Sequence, residues 1–376
     1  MTSFDWSIVA GYAIGLVVFG WRLGLRQKDL RDYYLAGKRI HWLPIGISTM
    51  ATQLSAISFI SAPAFVALRP GGGMIWLGYE LAVPLAMIFL MALYFPVFHS
   101  MDVISVYEYL ERRFDIRVRV LISLVFQISR GLATGVATYA AAIVLSASLS
   151  QPLWLTICLV GVVALAYELL GGIHVDIMSD TVQMMVLVAG ILACGLTGLH
   201  LVGGWSEVVG SLDPDRFKAI DFLSFGFGGD TDYGFWPLFI GGFFLYVSYY
   251  GCDQSQVQRE LAARNLDDCR KSLLFNGLFR FPVVLAYCLV GLIIGAFVVK
   301  NPGFLSRVPE GRIDYLVPAF VVNYMPPGLV GLIFVAVLAA AMSSLDSSIN
   351  SLSAATLEDI YKNFSKRPLS LSLIHI

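Results

Sequence analysis

Long apolar segments separated by short polar stretches dominate the chain. Runs of about 20 apolar residues, the length that crosses roughly 30 Å of hydrocarbon as a helix, recur along the whole sequence. Nine membrane-spanning helices are predicted, near residues 5–23, 42–66, 74–98, 119–147, 153–172, 180–202, 234–252, 273–299 and 327–349. The first run leads into Trp21, Arg22 and a basic loop instead of a small-residue cleavage site, which indicates a retained helix.

Composition agrees with a membrane protein. Mean hydropathy is +0.76, and 14% of residues are charged, against about 25% in a soluble domain. The net charge of -1 gives no reason to expect a nucleic-acid partner. The five cysteines have no metal-ligand spacing and imply no disulfide framework.

Basic residues cluster in alternate loops. The clusters follow the first span, precede the fourth and eighth spans and lie in the tail, at residues 22–39, 112–119, 259–271 and 362–367. By the positive-inside rule, the N-terminus is expected outside and the tail in the cytoplasm.

The last span carries an unusual concentration of polar side chains, from Ala339 to Asn350. Four of its residues fall on one helix face, namely Ala340, Ser343, Ser344 and Ser347. Hydroxyl and carbonyl oxygens suit a hard cation such as sodium, and a carboxylate at this depth, here Asp346, indicates a functional site. Alternatively, the serines only let two helices pack closely, with each hydroxyl bonded to its own helix.

Two spans look interrupted. The second is polar for its depth, with Gly46, Ser48, Thr49, Thr52, Gln53, Ser55 and Ser58. The seventh carries Gly241-Gly242 at its middle. Paired broken helices in the two halves of a transporter indicate a binding site near the membrane midplane. Packing glycines, which are common in membrane helices, are the alternative.

Charged residues also fall within or beside spans. Glu80 lies in the third span, Arg130 in the fourth and Arg280 in the eighth. Such charges either pair across helices or meet a substrate. Asp180 is predicted to begin the sixth span, where capping the helix would be a sufficient structural reason for it.

Three stretches together resemble one family. They are residues 340–351 with Leu357-Glu-Asp-Ile-Tyr361, residues 250–259, and Gly171-Gly-Ile173 with Ser179–Gln183. In this order and spacing they resemble the sodium/solute symporter family, which includes sodium/galactose, sodium/sialic acid, iodide and multivitamin carriers. The resemblance implies an all-α, leucine-transporter-type fold of two inverted five-helix repeats after one extra helix.

On that pattern, residues 1–363 form a single transmembrane domain. The first repeat covers about 42–202, and the second, about 234–350, is incomplete. Since family members normally continue for several more membrane helices, we expect a truncated reading frame that lacks the last two core helices. Residues 364–376 are expected to be a non-native or disordered tail.

The resemblance also implies the sites. The main sodium site would use the carbonyls of Ala51 and Leu54 with Ala340, Ser343 and Ser344. A second sodium would use Asp180, Ser343, Asp346 and Ser347, with Asp346 standing where relatives commonly carry a hydroxyl residue. The expected substrate set is Gln53, Ser55, Ser58, Glu80, Arg130, Asp253 and Arg280, in which Gln53, Ser55 and Ser58 are included as polar residues of the broken second span. Glu80 and Arg280 match sugar-contacting positions, and Arg130 matches an arginine that meets a substrate carboxylate. In the alternative expectation, Glu80 neutralises Arg130 when the site is empty and leaves an uncharged pocket suited to a neutral sugar or polyol.

The expected function is sodium-coupled symport of a small polar organic solute across the plasma membrane, in a bacterium the inner membrane, by alternating access. An acid sugar or other carboxylate ranks ahead of a neutral sugar, and inorganic anions rank third. The alternative is a transporter-like sensor domain of a longer signalling protein. No nucleophile–base pair, metal cluster or phosphate loop stands out, so an enzyme is disfavoured. The expected partners are the solute and the lipid bilayer, and oligomeric state stays open.

Overall fold

A computed structural model describes residues 1–24, 29–149, 151–226 and 233–365. From residue 366 onward, the predicted tail lies outside the described residues. The α-helices are α1 (Ser3–Gly24), α2 (Leu30–Leu35), α3 (Trp42–Gln53), α4 (Ala56–Leu68), α5 (Leu77–Glu80), α6 (Val83–Leu93), α7 (Phe95–Met101), α8 (Glu108–Arg113), α9 (Ile116–Leu149), α10 (Leu153–Val202), α11 (Trp205–Ser211), α12 (Phe235–Cys252), α13 (Gln254–Leu261), α14 (Leu266–Lys300), α15 (Leu316–Tyr324), α16 (Leu329–Ala355) and α17 (Lys362–Phe364). Short 3-10 helices cover Ala36–Lys38, Met74–Trp76, Pro214–Phe217, Pro302–Arg307 and Ile313–Tyr315, and a π-helical turn covers Thr356–Tyr361.

The described residues contain the predicted set of membrane helices. Seven helices are long and apolar enough to cross a membrane, or eight when the bent pair α3 and α4 counts as one span. A shorter apolar helix, Leu153–Ala166, opens α10 and accounts for the fifth predicted span. The all-α membrane fold is therefore confirmed, as expected where hydrocarbon leaves backbone groups no partner outside the helix.

The second span is broken, as predicted. Its two helices, α3 and α4, meet at an angle of 58°. The Ser55 amide donates to the Gln53 carbonyl at 2.9 Å and so does not reach the Ala51 carbonyl four residues earlier, its partner in a continuous helix. The break therefore leaves backbone oxygens available at this depth.

The predicted turn between the fifth and sixth spans is instead a kink within α10. Gly172 adopts φ 55° and ψ -166° there, a conformation that glycine reaches at little steric cost. The helix resumes at once, so Asp180 lies inside α10 and not at a helix start. The expectation that Asp180 begins a helix and caps it is wrong.

The seventh span is not interrupted at its paired glycines. Helix α12 runs unbroken through Gly241 and Gly242, and the chain bends only at Asp253, before α13. A Cβ on Gly242 would come within 2.8 Å of the Cβ and carbonyl oxygen of Tyr79. Gly242 therefore lets α12 approach α5 closely, and the packing explanation is the correct one.

Helix α16 forms the centre of the bundle. The apolar part of its span is 78% buried, against 17% for the spans of α1 and α9, which face outward. Its start is tied to the extra N-terminal helix because Asp5 Oδ1 accepts from the amides of Gly328 at 2.7 Å and Gly331 at 3.0 Å. The polar stretch of α16 is thus held in the interior, beside α3, α4 and α10.

Candidate cation and solute sites

The break in the second span lies against the serines of α16. The Ser344 hydroxyl donates to the Thr52 carbonyl at 2.9 Å, and its distance to the Ala340 carbonyl is 3.3 Å. Ala51 and Leu54 flank this contact, and both are buried, as are Ala340 and Ser343. Ser344 and Ala340, both predicted for the main sodium site, therefore lie at one junction with the chain segment that holds Ala51 and Leu54. The hydrogen bond to the Thr52 carbonyl joins α16 to α3, so the Ser344 hydroxyl does not bond only to a carbonyl of its own helix.

The donor set at this junction consists of oxygens. A backbone carbonyl beside the break accepts from the Ser344 hydroxyl, and such oxygens are the ligand type that hard cations prefer. Among the described residues, no group of three or more His, Cys, Asp and Glu side chains could hold a metal ion. The arrangement favours a weakly held monovalent cation over a transition metal.

Asp180, predicted for the second sodium, is fully buried and already well bonded on one side. Its Oδ2 accepts from Ser48 Oγ at 2.6 Å, from Thr52 Oγ1 at 3.4 Å and from Arg259 Nη2 at 3.3 Å. Arg259 also donates to Ser347 Oγ. One guanidinium thus engages two of the four residues predicted for this site.

Arg259 is the main site residue that sequence reasoning missed. It is fully buried and pairs with both oxygens of Asp176 at 2.8 Å, while Nε donates to Ser48 Oγ at 2.7 Å. It joins α13 to α10, α3 and α16. The only available signal was its place at the end of the motif 250–259, but hydropathy assigned it to a basic loop.

Three residues of the predicted substrate set lie in one network, namely Glu80, Arg280 and Gln53. Arg280 Nε and Nη2 donate to the two Glu80 oxygens at 2.6 Å and 2.8 Å. The Tyr246 hydroxyl donates to Glu80 Oε1 at 2.9 Å, and the Tyr250 hydroxyl donates to Gln53 Oε1. The two tyrosines, one helical turn apart in α12, were not predicted. Ser55 and Ser58 have no side-chain hydrogen bond to this network in the described part of the chain.

Arg130 has a different partner from the one expected. It pairs with Asp253 at the end of α12 and lies over the Tyr249 ring, 5.3 Å from its centroid. The expectation that Glu80 neutralises Arg130 is wrong, because Glu80 faces α14 and is fully engaged by Arg280.

A cavity of about 850 Å³ lies beside the Arg130–Asp253 pair. Its walls come from α7, α8, α9 and α12 and are mainly apolar, with Tyr249 and Asp253 among the lining residues. The side chains of Arg130 and Asp253 are 13% and 18% exposed, whereas those of Arg280 and Glu80 are 4% and 1% exposed. The Arg130–Asp253 pair is therefore partly exposed, with Asp253 lining the cavity, whereas the Arg280–Glu80 pair is buried.

Known proteins resemble this chain over almost its whole length. The profile of the Sodium:solute symporter family matches residues 33–371. The sodium/sialic acid symporter of Aliivibrio fischeri is 33% identical over 97% of this chain and 71% of its own length. The human sodium/iodide cotransporter is 29% identical over 96% of this chain, which spans only 56% of that longer protein.

A solved structure shares the fold. It is the substrate-bound outward-open state of a Na⁺-coupled sialic acid symporter, described as revealing a novel Na⁺ site, with a TM-score of 0.91 and 28% identity. The match covers 99% of this chain and 78% of that one. The predicted fold and the assignment to transporters instead of enzymes are confirmed, and the sensor alternative finds no support among these matches. The chain belongs to the sodium:solute symporter family.

Proposed function

We propose that this protein carries out sodium-coupled symport of a small organic solute that bears a carboxylate. The solute would cross the plasma membrane by alternating access, with the N-terminus outside and the tail in the cytoplasm, as the basic loops indicate. Sodium would bind between the broken second span and Ser343 and Ser344 of α16. Its entry down a potential of 100 mV supplies about 2.3 kcal/mol per charge.

The state of Arg130 is the observation that carries the carboxylate assignment. Its one ion pair, to Asp253, uses Nη2, and its buried Nε has no hydrogen-bond partner among the described residues. Arg280, by contrast, meets Glu80 with two nitrogens and also contacts Tyr246 and Tyr250. A guanidinium fork binds a carboxylate through two parallel hydrogen bonds. Arg130 would form these two hydrogen bonds with the carboxylate of an acidic solute that displaces Asp253 beside the cavity.

The relatives agree with an anionic solute. The two named above are described as transporting sialic acid and iodide, and each carries a negative charge at neutral pH. A site whose guanidinium is only partly satisfied discriminates strongly in favour of a ligand that completes its hydrogen bonds. A neutral sugar would leave the Arg130–Asp253 pair intact, and its binding would depend on hydrogen bonds to Tyr246, Tyr250 and Gln53.

The test compares uptake of an organic acid and its neutral amide by cells or proteoliposomes carrying the protein. We expect sodium-dependent uptake that favours the acid. Arg130→Gln should lower acid uptake about 10- to 150-fold, because hydrogen bonds to charged groups are worth about 1.5–3 kcal/mol, and should leave amide uptake unchanged. Arg117→Gln, an exposed arginine at the start of the same helix, is the matched control.

Two results would contradict the proposal. Equal acid uptake by Arg130→Gln and the wild type would remove the carboxylate assignment and favour a neutral sugar. Equal uptake in sodium and potassium would remove the symport assignment.

A further inference from the structure

A second cavity lies at the basic segment that follows α1, apart from the cavity beside Arg130. Its volume is about 410 Å³, and its walls come from the end of α1, the segment before α3, the start of α3 and the middle of α10. Its polar lining consists of Arg39, His41, His174 and Asp32, and Leu23 and Met178 are among its apolar residues. Basic pockets of this kind between membrane helices are typical binding sites for lipid headgroups.

Two tryptophans place the cavity near the membrane surface. Trp21 lies two residues before Leu23 in α1 and is 54% exposed, and Trp42 directly follows His41 at the start of α3. Tryptophan is enriched where a membrane meets water, at the level of the headgroups. Because the span of α1 is only 17% buried within the bundle, the cavity adjoins a helix that faces the lipid. A headgroup therefore has a route into it from the bilayer.

The chain around the cavity is strongly basic. Residues 22–41 contain six Lys or Arg side chains and two Asp or Glu side chains. From the loop after α13, Arg264 Nε donates to the Arg39 carbonyl at 3.0 Å, which brings a second guanidinium to this segment. Membrane topology alone explains a basic loop, but it does not require a cavity lined by the arginine of that loop. The charge favours an anionic ligand.

A left-handed turn folds Arg39 back beside Asp32. Ala36, Gly37 and Lys38 have φ values of 48°, 57° and 54°. After this turn, Arg39 Nε donates to the Ala36 carbonyl at 3.4 Å, and Nη2 pairs with Asp32 at 2.5 Å. Nη1 has no hydrogen bond within the described part of the chain, and the Arg39 side chain is 69% exposed. Arg39 therefore has donors for an anion, while the Asp32 carboxylate is already paired.

His41 supplies a second donor. Its Nδ1 accepts from the Leu43 amide at 3.4 Å at the start of α3. A ring nitrogen that accepts carries no hydrogen, so the neutral imidazole has its hydrogen on Nε2. The His41 ring therefore donates from Nε2, and both His41 and Arg39 line the cavity.

We propose that this cavity binds an anionic membrane phospholipid. Arg39 and His41 would donate to the phosphate oxygens, and Leu23 and Met178 would contact the glycerol and the start of the acyl chains. A guanidinium suits a phosphate because it offers several charge-assisted hydrogen bonds. The apolar wall favours a lipid over free phosphate. The inference is independent of the proposed solute and of sodium.

The test is native mass spectrometry of the purified protein in detergent, titrated with phosphatidylglycerol or with phosphatidylcholine of the same acyl chains. The wild type should bind phosphatidylglycerol at least about fivefold more tightly. Arg39→Gln should weaken phosphatidylglycerol binding about fivefold, the effect of one basic residue near an anionic lipid. Arg113→Gln, which removes an exposed arginine of α8 in another basic loop, should bind phosphatidylglycerol as the wild type does.

A folding control uses thermal unfolding in lipid-free detergent. The Arg39–Asp32 pair is exposed on the arginine side and contributes little to stability, so Arg39→Gln should unfold at the temperature of the wild type. Equal affinities of the wild type for the two lipids would overturn the proposal, independently of any variant. Equal losses in Arg39→Gln and Arg113→Gln would also overturn it, by revealing a general effect of surface charge. Displacement of the lipid by inorganic phosphate would replace the lipid site with a site for a free anion.

Discussion

At the scale of single residues, the buried arginines differ in how completely they are paired. Arg259 and Arg280 each meet carboxylates and further oxygens with several nitrogens, so they join helices and offer little to a ligand. Arg130 shares one ion pair with Asp253 beside a cavity. Removing one partner of a closed pair exposes a buried charge, whereas under the proposed function Arg130 would exchange its partner for a solute.

The sequence indicated that these charges needed partners but not which ones. Glu80 and Arg280 are 200 residues apart in the chain, and their pairing depends on how α5 and α14 are rotated about their axes. Hydropathy carries no information on that rotation. The same limit hid Arg259, whose burial results from the tertiary packing of α13 and not from its local polarity.

The Ser344 hydroxyl provides a direct test of the main sodium site. Ser344→Ala should raise the sodium concentration needed for half-maximal uptake about 5- to 150-fold, since a buried ligand oxygen is worth roughly 1–3 kcal/mol. Ser348→Ala is the control because that hydroxyl bonds to the Ser344 carbonyl of its own helix at 2.7 Å. The sodium dependence of uptake measures both; equal sodium requirements in the two variants would place the ion elsewhere.

At the scale of helices, local composition indicated interruptions in two spans, and the structure contains only the one in the second span. Serines and threonines around Gln53 compete for backbone hydrogen bonds, and the second span does break there. Glycine pairs are ambiguous, because the same residue type serves a kink, as at Gly172, or close packing, as at Gly242. Only the position of Tyr79 against α12 distinguishes the two uses.

Two adjacent glycines in α12 allow the effect of close helix packing on stability to be measured separately from the effect of helix propensity. Gly242→Ala should lower the temperature of unfolding, because the added Cβ meets the Tyr79 backbone and overpacking costs about 1–3 kcal/mol. A Cβ added at Gly241 has no neighbouring heavy atom within 4 Å. Gly241→Ala should therefore leave the free energy of unfolding unchanged or raise it by up to about 1 kcal/mol. Thermal unfolding of the purified variants in detergent measures the difference. Equal effects at the two positions would mean that α12 does not pack on α5 through Gly242.

At the scale of the whole molecule, α16 connects the parts that the candidate sites require. Its start is held by Asp5 of α1, its serines meet the broken second span, and its Ser347 reaches Arg259 of α13. A cation bound at Ser343 and Ser344 would therefore join elements from both ends of the chain. Such an ion stabilises the bundle as a unit and not one helix alone.

Sodium should accordingly raise the unfolding temperature of the purified protein, and potassium should not. A ligand that binds only the folded state contributes about 2.7 kcal/mol at 100 times its dissociation constant. The break at Leu54 should respond most, because its carbonyls would become ligands, so amide hydrogen exchange around residues 54–58 should slow in sodium. Ser344→Ala should reduce both effects, and Ser348→Ala should retain them. Equal stabilisation by sodium and potassium chloride in the wild type would reveal a general salt effect and contradict a specific ion at this junction.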